Sequence, residues 1–170
     1  MAYYPPRYFG GCSSSEARNG MAAWQVEFFI IPRRALESSP SPIPAQMLDS
    51  VAWWAGVALP ADYRARLGVA ATPVPSSTPE VEAWGAADQN YVEVSSEAGR
   101  PVRVRARVDV RQPDAKFAAG LITFARAAGA ALVRADGSAI ESTAGGFGQA
   151  LRESPAWRHV QSGRPPIRDS

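Results

Sequence analysis

Two neighbouring segments with strict alternation constrain this fold more than any other feature of the sequence. Residues 91–97 and 101–111 carry apolar side chains at every second position, and residues 98–100 stand between them. Alternation of this kind is typical of strands with one buried side. A three-residue loop with Gly99 or Arg100 in the left-handed region keeps the apolar sides together, whereas a two-residue loop mixes them. The predicted cross-strand pairs of this hairpin are Val94 with Val104, Glu93 with Arg105, and Tyr91 with Arg107.

The other elements are predicted from periodicity along the rest of the chain. Residues 24–31 alternate up to Pro32, which predicts a first strand. Apolar residues at three- and four-residue steps predict helices over 44–56 and 117–128, the second closed by Gly129. A short piece at 61–67, a last strand at 131–133 and a final helix interrupted near Pro155 complete the prediction. We interpret residues 72–79 as a loop and 145–148 as a flexible connection.

The order strand, helix, strand, strand, helix, strand favours an α+β fold. Right-handed crossovers and pairing of sequential elements point to a ferredoxin-like split βαβ sandwich, with an antiparallel sheet and both helices on one face. The helices would cover the apolar face, which carries Val26, Phe28, Ile30, Val104, Ala106 and Val108. The opposite side, here called the charged face, would stay open. It carries Gln25, Glu27, Phe29, Glu93, Arg103, Arg105, Arg107, Asp109 and Arg111.

Length and composition restrict the class of protein. The 170 residues suit one domain, expected at 21–160, with a flexible tail at 1–20 and a C-terminal tail at 161–170. Cys12 and His159 are the only residues of their types, which excludes the usual zinc and iron–sulfur sites and leaves one histidine for any catalytic base. We therefore expect no metal, no cofactor and no catalytic residue, and lean towards a non-enzymatic function.

Charge and hydropathy exclude further classes of partner. A formal net charge of +2 is too weak to indicate nucleic-acid binding. No apolar run reaches the roughly 20 residues of a membrane span. We therefore expect a cytoplasmic protein that is not integral to a membrane.

The arginines of the charged face are the sharpest candidate site. One predicted strand carries Arg103, Arg105, Arg107 and Arg111. The first three lie about 7 Å apart, and their guanidinium groups are suited to phosphates, carboxylates or aromatic rings. The alternative is a solvated sheet whose acidic residues pair with them. RNA binding is a third possibility. It needs aromatic residues on the open face for base stacking, and the predicted face offers Phe29 and Tyr91 alone. The candidate partner-binding residues are Arg103, Arg105, Arg107, Arg111, Glu93, Tyr91, Phe29 and Trp53.

Tryptophans provide a second candidate site. Adjacent Trp53 and Trp54 cannot both face the core from one helix, so one should be exposed or lie beneath a loop. A groove near Trp53 and Trp84 would suit a small-molecule-binding or enzymatic domain, which is the alternative to protein binding.

Short motifs give a resemblance to known proteins. These are Trp84-Gly85 before the 91–94 strand, Arg107-Val108-Asp109-Val110-Arg111, the 117–128 helix, Asp136-Gly137, and Leu151 followed by Ser154 and Ala156. Together they resemble a group of small bacterial α+β proteins, some of which are similar to immunity proteins encoded beside secreted toxins. The resemblance covers about residues 24–160 and implies that the partner is another protein, such as a toxin, or a second copy of the chain.

Overall fold

A computed structural model describes residues 21–163 of the chain. The strands are β1 Gln25–Pro32, β2 Pro73–Val74, β3 Val81–Gly85, β4 Tyr91–Glu97, β5 Arg100–Asp109, β6 Ala130–Arg134 and β7 Ala139–Ile140. The helices are α1 Arg33–Glu37, α2 Ala45–Ser50, α3 Tyr63–Ala70, α4 Ala115–Ala127, α5 Ala144–Glu153 and α6 Pro155–Gln161. The predicted tail at 1–20, and the C-terminal tail from residue 164 onwards, lie outside the described residues.

The strands form one antiparallel sheet in the order β2-β3-β4-β5-β1-β6-β7. All four predicted strands are present, adjacent to one another in the order β4-β5-β1-β6. The predicted strands do not include β2, β3 and β7. Strands β2 and β7 have only two residues each, too few to display an alternation, and β3 does not alternate, because it carries the adjacent apolar residues Ala83 and Trp84. One interpretation is corrected: residues 72–79, interpreted as a loop, contain β2. Trp84 lies on strand β3.

The predicted hairpin register is confirmed, but the turn that produces it differs. Tyr91 pairs with Arg107, Glu93 with Arg105 and Val94 with Val104. The turn has only two residues, 98 and 99, both with positive φ (49° and 74°), as in a type I′ turn. A bulge next to Ser95 inserts one extra residue into β5 and restores the parity that this turn would otherwise break.

The left-handed conformation of Ala98 predicts a stabilising substitution. Ala98 is the one non-glycine residue with positive φ among residues 21–163, and asparagine tolerates this region better than alanine. We expect Ala98→Asn to raise the free energy of unfolding by about 0.5–1 kcal/mol in urea denaturation. Ala58→Asn, at an exposed loop position with negative φ, is the control and should change little. An unchanged stability of Ala98→Asn would contradict the turn geometry.

The apolar face of the sheet is buried beneath α3, α4 and α5. Phe28 of β1 stacks on Phe147 of α5 with ring centroids 5.0 Å apart, and both are almost fully buried. Helices α3 and α4 approach so closely that a Cβ added at Gly120 would lie 2.5 Å from the Cβ of Ala70. The segment 145–148, interpreted as a flexible connection, lies instead within α5, because Thr143 caps the helix and Phe147 anchors it in the core.

The predicted helix over 44–56 is much shorter than expected. Helix α2 ends at Ser50, and Val51 is extended, so Trp53 and Trp54 do not share one helical surface. Both are buried, with exposed fractions of 7% and 2%, so of the two predicted alternatives the structure excludes an exposed tryptophan. The backbone N–H of Trp54 donates to the Val102 carbonyl at 3.0 Å, and its indole Nε1 donates to the Ile30 carbonyl at 2.8 Å. Trp54 thereby bridges β5 and β1.

Helix α2 lies on the charged face of the sheet. Ala45, Leu48 and Asp49 line the same small cavity as Phe29 and Arg105, and Leu48 is fully buried. The helices therefore do not all occupy one side of the sheet, and the charged face is not open over its whole area. The physical reason is the apolar row formed by Phe29, Ile31 and Val133 on that side of β1 and β6, which needs an apolar cover.

Candidate functional site

Each arginine of the candidate site has an acidic partner on the charged face. The nitrogen–oxygen distances are Arg103 to Glu97 3.4 Å, Arg105 to Glu93 2.5 Å, Arg107 to Glu27 3.7 Å and Arg111 to Asp109 2.7 Å. The charged face is therefore close to electrically neutral. This agrees with the alternative prediction of a sheet surface whose arginines pair with acidic residues.

Arg105 is the centre of this network. Its guanidinium contacts Glu93 with Nε and Nη2, and its Nη1 lies 3.6 Å from Oδ1 of Asp49 on α2. The side chains of Arg105 and Glu93 are only 22% and 13% exposed. Arg103 donates a hydrogen bond to the main-chain carbonyl of Asp49. The two arginines therefore hold the C-terminal end of α2 against the sheet.

Arg107 and Glu27 form a looser pair next to this centre. Nε of Arg107 lies 3.7 Å from Oε1 of Glu27, which is longer than a hydrogen bond. The guanidinium carbon of Arg107 also lies 5.9 Å from the ring centroid of Tyr91. Burial raises the pKa of Glu27 above its ordinary value, and the nearby Arg105 and Arg107 only partly offset this effect.

Arg111 belongs to a separate cluster at the end of the sheet. Its guanidinium binds the buried carboxylate of Asp109 through two nitrogens and lies 4.0 Å from the ring centroid of Trp24. The buried amide of Gln25 donates to the carbonyls of Ala87 and Gln89, at 2.9 and 2.7 Å. This cluster fixes the loop between β3 and β4 against the beginning of β1.

Two of the candidate residues are not accessible. Phe29 is 3% exposed beneath α2, and Trp53 is 7% exposed with its indole Nε1 3.3 Å from the Leu48 carbonyl. Trp84 is also buried. The groove of about 390 Å³ in this region is lined by Trp54, Leu59, Tyr63 and Arg100 among others, rather than by the two tryptophans of the alternative site.

The outer part of the charged face is more accessible. The strand registers place Val74 of β2, Val81 of β3, and Tyr91 and Ser95 of β4 on this side of the sheet, and all four are partly exposed. We call these four residues the outer patch. It adjoins Arg103, whose side chain is 29% exposed. Val81, Ser95 and Arg103 are neighbours across β3, β4 and β5, and Tyr91 lies four residues from Ser95 along β4.

The sequence reasoning missed two residues of the network. Glu27 could have been chosen, because the predicted strand pairing places it on the same side as Arg107. Asp49 could not, because the helix that carries it was expected on the other side of the sheet. Within residues 21–163 no group of three or more potential ligands could hold a metal ion, and no helix there is long and apolar enough to span a membrane.

Comparison of the chain with known protein families, curated proteins and solved structures finds no match.

Proposed function

We propose that this chain is a non-enzymatic, cytoplasmic protein-binding domain that acts through the outer patch and the adjoining Arg103. The observation that carries the proposal is the partial exposure of Val74, Val81, Tyr91 and Ser95 beside an arginine held in place by Asp49 and Glu97. Tyrosine and arginine are enriched at the centres of protein interfaces. Side chains already ordered in the free protein lose little further entropy on binding.

The order and pairing of the central strands support a more specific fold. We assign the central four strands to a ferredoxin-like split βαβ sandwich, supported by their order β4-β5-β1-β6, their antiparallel pairing and the position of α4 between β5 and β6. In this description β2, β3 and β7 extend the sheet at its two ends, and α2 is an addition on the charged face. The proposed partner is a toxin that the chain neutralises as an immunity protein, in keeping with the short motifs that resemble such proteins.

The near neutrality of the charged face has a consequence for the partner. Because its arginines are paired within the chain, the surface offers no large field to attract a polyanion. Binding should therefore depend weakly on salt, whereas an RNA complex loses affinity steeply as salt increases. A steep decrease of affinity with salt would indicate that the partner is a nucleic acid and not a protein.

A bulky residue in the outer patch tests the proposal. In co-expression with a candidate toxin from a neighbouring gene, we expect the parent to restore growth and Ser95→Trp to fail, because the indole prevents close approach of the partner. The matched control is Thr123→Trp, on the exposed side of α4 away from the patch, which should preserve growth. Both variants should retain the parent's circular dichroism spectrum. Equal protection by the parent and by folded Ser95→Trp would overturn the assignment of the patch.

A further inference from the structure

A small cavity lies between α2 and the charged face, separate from the outer patch. Its volume is about 110 Å³. The described residues that line it combine two acids, two arginines and an apolar wall. Those that bear on the ligand are Glu27, Phe29, Leu48, Asp49, Arg105 and Arg107.

The charged groups in the cavity differ in how well they are satisfied. Arg105 is held by Glu93 and Asp49, so its donors are largely used. Within residues 21–163, the contacts of Arg107 are Oε1 of Glu27 at 3.7 Å and the Tyr91 ring. Arginine has five N–H donors and a carboxylate has about four acceptor positions. Glu27 and Arg107, only 15% and 13% exposed, therefore retain unused hydrogen-bonding capacity beside a cavity whose wall is otherwise largely apolar.

We propose that this cavity binds a small zwitterion, a free α-amino acid no larger than alanine. The ammonium group would bind the carboxylate of Glu27, and the carboxylate would accept hydrogen bonds from the guanidinium of Arg107. The four lining charges sum to zero, so an overall neutral ligand with separated charges complements them. The ligand's small side chain would contact Phe29 and Leu48, which form the apolar wall.

Size and hydration limit the ligand. A cavity of this volume has room for several water molecules beside its charged side chains, and separations above 3.5 Å between polar groups are commonly bridged by water. The volume is well below the roughly 300–1,000 Å³ of pockets for drug-sized molecules. Glycine and alanine would displace the water and replace it both as hydrogen-bond donor and as acceptor, whereas tryptophan is too large for the cavity. This proposal does not depend on the outer patch.

Glu27→Gln is the decisive variant because it should fold. Burial raises the pKa of Glu27, so its contribution to stability is complete below the ordinary glutamate pKa and declines as the pH rises through the raised value. At neutral pH the uncharged glutamine therefore avoids a desolvation cost while preserving the shape of the side chain. The other charged groups around it are Arg105 and Arg107 on β5, Glu93 on β4 and Asp49 on α2.

The test is isothermal titration calorimetry of the full chain with alanine, glycine, propionate, ethylamine and tryptophan. We expect heat with alanine and glycine and none with tryptophan, and we expect Glu27→Gln to weaken alanine binding at least about tenfold. Glu80→Gln, at an exposed acid away from the cavity, is the matched control and should bind as the parent does. Binding should weaken as the pH falls and Glu27 takes up a proton.

A second variant blocks the cavity without changing the charged residues that line it. Ala45→Met places a longer side chain at the exposed edge of the cavity and should abolish alanine binding while the charged residues remain. No heat with any amino acid would mean that the cavity holds only water and would overturn the proposal. Equal binding of propionate and alanine, or unchanged binding by Glu27→Gln, would overturn the assigned role of Glu27.

Discussion

Replacing Arg105 by alanine should destabilise the protein by about 3 kcal/mol, since removal of one member of a largely buried ion pair leaves an uncompensated charge. Arg105 is only 22% exposed, and its loss would leave Glu93 and Asp49 without their shared cation. The contact that holds α2 on the sheet would also be weakened. Urea denaturation of Arg105→Ala against the parent measures the effect.

Two further variants make this result specific to the ion pair. Arg100→Ala removes an exposed arginine at the hairpin turn and should change the free energy of unfolding by no more than about 0.5 kcal/mol. In a double-mutant cycle with Glu93→Gln, the two losses should be clearly less than additive, because both variants remove one interaction. Additive losses would mean that Arg105 stabilises the protein through packing of its aliphatic stem instead.

Gly137→Ala should cost about 3 kcal/mol or more, because two effects combine at this position. Gly137 has a φ of +82°, a conformation that costs alanine about 1–2 kcal/mol. A Cβ there would also lie 1.9 Å from the carbonyl oxygen of Ile43. The clash would break the hydrogen bond from the Ile43 N–H to the Gly137 carbonyl at 3.0 Å, and with it the attachment of the segment leading into α2.

Gly129 provides the control for backbone conformation alone. It also has a positive φ, +60°, but a Cβ added there has no neighbour within 4 Å. Gly129→Ala should therefore lose only about 1 kcal/mol, measured by the same denaturation experiment. The difference between the two variants isolates the contact between Gly137 and Ile43. Equal losses would mean that residues 43 and 137 are not in contact in solution.

The sequence alone determined the strands that display a long alternation, and the faces they present. Alternation from Tyr91 to Asp109 placed Val94 opposite Val104 and Glu93 opposite Arg105, and these pairs are present. The reason is that a shift of one residue would exchange the buried and solvated sides, so the pattern permits one register. The cross-strand pairing of arginine with acidic residues followed from the same register.

The tertiary structure decided the elements whose local pattern is short or ambiguous. Strand β3 does not alternate, because it carries the adjacent apolar residues Ala83 and Trp84. The helical spacing of apolar residues continues past Ser50, so it did not show where α2 ends. Thr143 caps the helix that contains the glycine-rich segment at 145–148, which is a local signal. The core contact of Phe147 with Phe28 is a tertiary effect that helix propensity does not predict.

The face of the sheet on which α2 packs has the largest effect on the candidate sites. Apolar residues at helical spacing predicted a helix that buries one side, and that prediction does not say which face of a sheet the helix covers. Phe29 and Ile31 of β1 created a second apolar surface on the charged face, and Leu48 covers it. Burial of this second surface brought Asp49 to Arg105 and enclosed the cavity beside Glu27, because contacts between distant segments arise only once the layers pack.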